Sequence, residues 1–263
     1  MPLPFWKYQG LGNDFVIVEA AEPMDPARAA RLCDRRLGIG ADGVLTVLPP
    51  RTPGASARMH IYNSDGSVAA MCGNGIRCVA RHLAERRGLA GDLVIDTDAG
   101  PKRCAVHRDR TGGVEAVSVE MGPAQYQGEE EFAPAGEPLR AHRVSMGNPH
   151  AVFFGEAGRE RAARLGPAVE RSVPGGVNAG FAAVRDGGID LVVWERGAGL
   201  TDACGTGACA AAVAAVKQRL LPAGQSLEVR LPGGALRVTV APDLVGVTMR
   251  GPAERAFEGR TDL

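Results

Sequence analysis

The sequence lacks a net charge, because 30 Lys and Arg residues balance 30 Asp and Glu residues in a chain of 263. Without an excess of positive charge, a protein has no general attraction for nucleic acid or for an anionic membrane surface. The chain also lacks an apolar run of the roughly 18 residues that a membrane span needs. No basic leader followed by an apolar stretch is visible at its start. We therefore expect a cytoplasmic protein with neither nucleic acid nor a membrane as a partner.

Cysteines are few for the length of the chain, six in all. Disulfide-stabilised secreted domains are short and cysteine-dense, so we expect these thiols to be reduced. Zinc-binding pairs usually have about two to four residues between them. Five residues separate Cys72 from Cys78, and the four between Cys204 and Cys209 come with no partner pair nearby in sequence. We expect no metal site.

Four short segments recur in the same order at nearly one offset, half the chain length. Cys72–Gly75 (CGNG) and Cys204–Gly207 (CGTG) lie 132 residues apart, and Ile61–Asn63 and Val193–Glu195 share that offset. The other two pairs are Gly12-Asn13 with Gly147-Asn148, and Ala41–Val44 with Asn178–Phe181. The recurrence predicts a duplicated domain with two lobes, residues 1–120 and 121–263. The Glu-, Gly- and Pro-rich stretch 127–138 is predicted to be a surface excursion.

Each half shows short strands around one strong helix. The clearest strand patterns in the first half are Phe15–Val18, Arg58–Tyr62, Leu93–Ile95 and Ala116–Val119. A helix follows Cys72 and ends near Gly88, and another follows Cys204. The second is apolar all round over 208–216, so it must be enclosed. We predict an α+β fold of two pseudo-symmetric lobes, each a curled, mostly antiparallel sheet wrapped around a core helix.

Each half places a cysteine directly before a Gly-x-Gly that opens its helix. Unpaired N–H groups and the positive end of the helix dipole stabilise a thiolate there. The same N–H groups suit a carboxylate, and glycine allows its close approach. One such cysteine could be a buried residue at a tight turn, but two related by duplication indicate function.

Two such thiols predict inversion of a stereocentre. A thiolate on one side can remove a proton from carbon, while a thiol on the other side delivers one to the opposite face. Backbone amides that clamp the α-carboxylate of an amino acid would stabilise the carbanion. The scheme needs no cofactor. A pyridoxal Schiff base has no obvious anchor, because Lys7, Lys102 and Lys217 are the only lysines and all lie outside these loops.

Seven motifs together resemble the diaminopimelate epimerases over nearly the whole chain. They are GLGNDF (10–15), YNSDGS (62–67), CGNGIRC (72–78), SMGNPH (145–150), VNAGF (177–181), ERGAG (195–199) and ACGTGACA (203–210). The resemblance implies two pseudo-symmetric lobes with the active site in the cleft between them. It also implies interconversion of LL- and meso-diaminopimelate, on the route to lysine and peptidoglycan, by a homodimer.

The resemblance also assigns roles to individual residues. Cys72 and Cys204 match the catalytic cysteines, and His150 and Glu195 match positions that tune their protonation. Residues that match substrate-binding positions are Asn13, Asn63, Gly73, Asn74, Asn148, Asn178, Glu195, Arg196, Gly205 and Thr206. A substrate with two amino-acid ends carries carboxylates and ammonium groups. A guanidinium suits a carboxylate, and a carboxylate together with amides suits ammonium groups. Gly43 departs from the pattern, since some members carry a glutamine there.

The sequence is also compatible with other interpretations. Proline or hydroxyproline racemases share the architecture, but their first loop has the motif CGHG. This chain has CGNG there, with Asn74 at the third position. A thiol-redox protein would join Cys72 to Cys204, and a binding module would need the amides and Arg196 but not both thiols. Asn13, Asn148 and Asn178 could each be only a turn former. The segment 38–43 (GIGADG) satisfies G-x-G-x-x-G, but it lacks the strand before and the helix after that a dinucleotide site needs.

Overall fold

The chain folds into two compact units, and the computed structural model describes residues 2–263 except for the side chain of residue 135. The first unit extends to Val119 and also contains Gly251–Leu263, and the second is Glu120–Arg250. Each unit is a mostly antiparallel sheet with helices, which confirms the predicted α+β class.

In chain order up to residue 122, the elements are β1 (Leu3–Gly10), β2 (Asn13–Glu19), α1 (Pro26–Cys33), β3 (Gly43–Leu48), β4 (Ala57–Asn63), β5 (Val68–Ala69), α2 (Gly73–Arg86), β6 (Asp92–Asp96), β7 (Lys102–Arg108) and β8 (Val114–Gly122). The second unit continues with β9 (Gln125–Phe132), β10 (Leu139–Ser145), β11 (Pro149–Phe154), α3 (Arg159–Ser172), β12 (Asn178–Arg185), β13 (Gly188–Glu195), β14 (Gly199–Thr201), α4 (Gly205–Lys217), β15 (Ser226–Leu231), β16 (Gly234–Val240) and β17 (Val247–Gly251). The last strand is β18 (Glu254–Thr261). All four strand patterns named from the sequence lie inside strands of the first unit.

The second unit repeats the pairing pattern of the first. β2 with β3 and β4 with β6 are parallel pairs, and so are their counterparts β11 with β12 and β13 with β15. β1 pairs antiparallel with β2, and β10 pairs antiparallel with β11 in the same way. The recurrence found in the sequence therefore corresponds to a repeated topology.

Helix α2 in the first unit and helix α4 in the second are the buried centres of their units. Strands β1, β2, β3, β6 and β7 contact α2, and β10 to β13, β15 and β16 contact α4. Ala208 to Ala215 are almost wholly inaccessible to solvent. An apolar helix of this kind is stable only when it is enclosed on all sides, as the sequence predicted.

Two features of the structure differ from the sequence expectations. Residues 127–132 of the predicted surface excursion are part of β9, because β9 pairs antiparallel with β10. The final segment packs with the first unit rather than with residues 121–250, because β18 pairs antiparallel with β1. The buried Arg77 also holds this segment, since its Nε donates to the carbonyl oxygen of Pro252 at 3.0 Å.

Candidate active site

Cys72 is the N-cap residue of α2, with φ −138° and ψ 118°. Its Sγ accepts a hydrogen bond from the N–H of Gly75 at 3.4 Å, and the side chain is half-buried. A Cβ added at Gly75 would lie 3.1 Å from Cδ2 of Leu45 and 3.4 Å from Cβ of Cys72. The glycine therefore leaves room for Leu45 and for Cβ of Cys72 at the first turn of the helix.

Asn13 joins Cys72 to the first turn of α2. Its Oδ1 accepts from Nδ2 of Asn74 at 3.2 Å and lies 4.0 Å from Sγ of Cys72, within reach of a thiol donor. Its Nδ2 donates to Oδ2 of Asp42 at 2.8 Å. Thus Asn13, Cys72 and Asn74, predicted separately from the sequence, form one group, and Gly73 lies in the same helical turn.

Sequence reasoning missed the charged residues behind Asn13. Oδ1 of Asp42 accepts from Nη2 of Arg35 at 2.9 Å, and Arg35 also donates to both carboxylate oxygens of Asp14 at 2.7 and 3.2 Å. The buried Lys7 pairs with Asp14 and donates to the carbonyl oxygen of Gly40. Burial alone would raise the pKa of Asp14, but hydrogen bonds from Arg35 and Lys7 outweigh it and lower the pKa to about 2. Asp14 and Asp42 lie within the segments GLGNDF (10–15) and GIGADG (38–43), but nothing in the sequence joined them to Lys7 or Arg35.

Two positions beside this group have local partners of their own. Asn63 is exposed at the end of β4, and its Nδ2 donates to Oγ of Ser67 at 2.9 Å within the turn to β5. Gly43 pairs with Asn63 in the sheet, and a Cβ there would lie 2.6 Å from the carbonyl oxygen of Tyr62. A glutamine at Gly43 would require the backbone to shift.

Cys204 is the N-cap residue of α4 and is only 4% exposed. Its Sγ lies 3.8 Å from Oγ1 of Thr206. A Cβ added at Gly207 would lie 3.0 Å from that Sγ and 3.1 Å from Cγ2 of Val193. Gly207 therefore leaves room for the thiol itself, whereas Gly75 leaves room for Leu45 and Cβ of Cys72.

Glu195 ends β13 and hydrogen-bonds with Cys204. Its Oε1 also accepts from Oγ1 of Thr201 at 2.6 Å, a partner that the sequence did not indicate. Burial raises the pKa of Glu195. Burial also raises the pKa of the Cys204 thiol well above its usual value, and the neighbouring Glu195 carboxylate adds to the rise. At neutral pH Cys204 therefore carries its proton.

Asn148 connects His150 to the Cys204 loop. Its Nδ2 donates to Oγ1 of Thr206 at 3.2 Å, and its Oδ1 lies 3.1 Å from Nε2 of His150. Burial, with a smaller effect of Arg196, lowers the pKa of His150 to about 3. The imidazole is therefore neutral at physiological pH, and its Nε2–H donates to Asn148.

Asn178 holds the turn that carries Arg196. Its Oδ1 accepts from the N–H of Arg196 at 3.0 Å, and its Nδ2 donates to the carbonyl oxygen of Pro149 at 2.9 Å. The exposed Arg196 side chain donates through Nη1 to the carbonyl oxygen of Gly175 at 3.1 Å. β13 ends at Glu195, so the bend that both Glu195 and Arg196 need in order to face a ligand is present.

Cys78 and Cys209 are fully buried in α2 and α4, as expected for core residues. Within residues 2–263, no group of three His, Cys, Asp or Glu side chains is placed to hold a metal ion. In the same part of the chain, no helix has the length and apolar character needed to span a membrane.

Comparisons with known proteins agree with the motifs. Residues 5–127 and 143–256 match the family model described as diaminopimelate epimerase. The chain is 43% identical to the diaminopimelate epimerase of Desulforudis audaxviator over 98% of this chain and 99% of that protein. It is 41% identical to the diaminopimelate epimerase of Xylella fastidiosa over 98% of this chain and 96% of that protein.

Solved structures with the same fold have much lower sequence identity. A probable proline racemase from Agrobacterium radiobacter superposes with a TM-score of 0.80 at 18% identity, over 99% of this chain and 93% of that one. A hydroxyproline epimerase from Agrobacterium vitis gives a TM-score of 0.78 at 16% identity, over 99% and 92% of the two chains. At such identities the likeness establishes the fold alone.

Proposed function

Because this chain belongs to the diaminopimelate epimerase family, we propose that it interconverts LL- and meso-diaminopimelate by proton transfer at one α-carbon. The observation that carries the proposal is the pair of equivalent helix starts, where Cys72 caps α2 and Cys204 caps α4. Thiol groups at helix N-termini, next to N–H groups that bind carboxylates, are the parts that a two-base epimerase needs.

The proposed reaction moves two protons and uses no cofactor. The thiolate of one cysteine takes the α-proton and becomes a thiol, leaving a carbanion that the carboxylate delocalises. The thiol of the other cysteine then protonates the opposite face of the carbon and becomes the thiolate. N–H groups at the starts of α2 and α4 would hold the carboxylate, where negative charge accumulates.

We assign the resting thiol to Cys204 and the thiolate to Cys72. The support is the raised pKa of Cys204, caused by burial and by Glu195. Cys72 is half-buried and receives the N–H of Gly75, which stabilises the deprotonated form. His150 and Glu195 are proposed to tune the two thiols, Glu195 by direct contact with Cys204 and His150 through its bond to Asn148.

Substrate recognition is assigned to the polar residues around the two loops. The exposed Arg196 suits a carboxylate, and Glu195 with the asparagine amides suits ammonium groups. The full proposed set is Asn13, Asn63, Gly73, Asn74, Asn148, Asn178, Glu195, Arg196, Gly205 and Thr206.

The proposed setting is a homodimer in the cytoplasm, on the route to lysine and peptidoglycan. Reduced Cys72 and Cys204 are needed for proton transfer, and a reducing compartment keeps them so. Residues 1–120 and 121–263 are proposed as the two halves of the duplication. The last strand of the second half, β18, pairs with β1 and so belongs to the first unit.

The test is an incubation of the reduced protein with LL-diaminopimelate in D₂O without added cofactor, followed by NMR and chiral separation. We expect the meso isomer with deuterium at one α-carbon. Cys72→Ser and Cys204→Ser should each abolish epimerisation, whereas Cys33→Ala, a buried cysteine outside both loops, should retain it. Near-normal epimerisation by either serine variant would refute the two-base scheme. Exchange on proline but not on diaminopimelate would reassign the substrate.

A further inference from the structure

The two equivalent asparagines present their amides in opposite directions. Asn13 turns its carbonyl oxygen toward the helix start, where it accepts from Nδ2 of Asn74 at 3.2 Å. Asn148 turns its NH₂ group toward the helix start and donates to Oγ1 of Thr206 at 3.2 Å. The loop of Cys72 therefore contains a hydrogen-bond acceptor, the amide oxygen of Asn13. The loop of Cys204 instead contains a donor, the NH₂ group of Asn148, bound to Thr206.

The group behind each asparagine determines this orientation. Behind Asn13 is Asp42, whose Oδ2 accepts from Nδ2 of Asn13 at 2.8 Å and from the N–H of Asp14 at 3.1 Å. A carboxylate can only accept, so the NH₂ group of Asn13 must face it. Behind Asn148 is His150, whose Nε2–H donates and so requires the amide oxygen.

Asp42 is held in place from its other side by Arg35. Nη2 of Arg35 donates to Oδ1 of Asp42 at 2.9 Å, and the same guanidinium holds Asp14. The side chains of Asp42 and Arg35 are 42% and 59% exposed, and exposed ion pairs contribute little to stability. The Asp42–Arg35 pair by itself therefore adds little to the free energy of folding.

We propose that Asp42, held by Arg35, is a positioning residue that fixes the amide oxygen of Asn13 toward Sγ of Cys72. The inference rests on the proposed function in taking Cys72 as the base. Once Cys72 has taken a proton from carbon, its S–H finds Oδ1 of Asn13 at 4.0 Å as an acceptor. This contact stabilises the thiol form and makes Cys72 a stronger base. It also gives the 38–43 loop a purpose other than nucleotide binding.

The experiment measures the alkylation rate of Cys72 by iodoacetamide against pH, in the reduced full-length protein with Cys204→Ser. Adding Asp42→Ala frees the NH₂ group of Asn13 to turn and donate to the thiolate. We expect the midpoint of the Cys72 profile to move down by about half to one pH unit. Arg35→Ala should move it in the same direction by less. Asp109→Asn, an exposed turn carboxylate in the same unit, is the matched control and should leave it unchanged.

The same shift should appear in the acid limb of kcat/KM when Cys204 is intact. A merely structural role would lower activity without moving either profile. An unchanged midpoint in both folded variants would overturn the proposal, and Arg35→Ala decides the matter if Asp42→Ala does not fold. Alkylation needs no substrate. If the wild-type protein failed to epimerise diaminopimelate while the alkylation profile still shifted, the proposed function would be refuted and the positioning role would stand.

Discussion

Replacing Gly207 by alanine should separate activity from stability. The new Cβ would lie 3.0 Å from Sγ of Cys204 and 3.1 Å from Cγ2 of Val193. Optimal van der Waals separations are about 3.5–4.0 Å, so Sγ of Cys204 must move away by roughly half an ångström. Helix propensity works the other way, since alanine is favoured over glycine by about 1 kcal/mol in a helix. We therefore expect a stability near that of the wild type and a displaced thiol.

The expected loss in kcat is about tenfold, because a misplacement of about 1 Å at a reacting group can cost about a hundredfold. The assay is the initial rate of α-deuterium incorporation, measured beside thermal unfolding. Gly75→Ala is the matched control, because its Cβ presses on Leu45 and on Cβ of Cys72 rather than on a sulfur, so its kcat should fall less. A folded Gly207→Ala enzyme with wild-type kcat would contradict the role given to this glycine.

Glu195→Gln should lower the pKa of Cys204, because it removes the neighbouring carboxylate that raises it. The thiolate absorbance should then appear at lower pH, and the alkaline limb of kcat/KM should move the same way; no movement would exclude the contact. His150 is neutral in the folded protein, where its pKa is about 3, whereas the pKa of an unfolded histidine is about 6.5. The free energy of unfolding, measured with urea, should therefore decrease as the pH falls from about 6.5 toward 3, and it should decrease less in His150→Gln. Gly43→Ala should destabilise the protein by about 1–3 kcal/mol, since its Cβ meets the carbonyl oxygen of Tyr62 at 2.6 Å, and an unchanged melting temperature would show that β3 can shift freely.

The sequence predicted the elements whose signals are local. A cysteine before Gly-x-Gly marked the starts of α2 and α4, and Gly88 with φ +64° follows the end of α2 as predicted. Helices α1 and α3 were not predicted. Helix α3 contains Gly166 and Pro167, which usually interrupt helices, and here Gly166 allows Trp194 to pack closely, since a Cβ would lie 2.4 Å from that ring.

Features that depend on distant partners could not be read from the chain. β18 pairs with β1 across almost the full length of the sequence, and no local pattern encodes that choice. The candidate site residues were found through motifs, but their partners were not. Thr201 beside Glu195 and Arg35 behind Asp42 are ordinary polar residues until the fold brings them within hydrogen-bond distance.

The repeated topology places both thiols at the N-caps of equivalent helices, and different residues at equivalent positions surround them. At the end of β4 stands Asn63, and at the equivalent end of β13 stands Glu195, so only the second unit has a carboxylate at this position. Phe15 in β2 corresponds to His150 in β11, since each pairs with the first residue of the next strand, Gly43 or Asn178.

A reaction that removes a proton on one side of a carbon and delivers one on the other needs one thiolate and one thiol at the start of each turnover. Two identical lobes would give two equal thiols. Glu195 makes Cys204 hold its proton more firmly, and Asp42, through Asn13, sets the acceptor that Cys72 meets when it gains one. Each thiol lies at the N-terminus of an equivalent helix, and in the proposed reaction the carboxylate of Glu195, whose counterpart in the first unit is Asn63, favours Cys204 as the thiol at the start of a turnover.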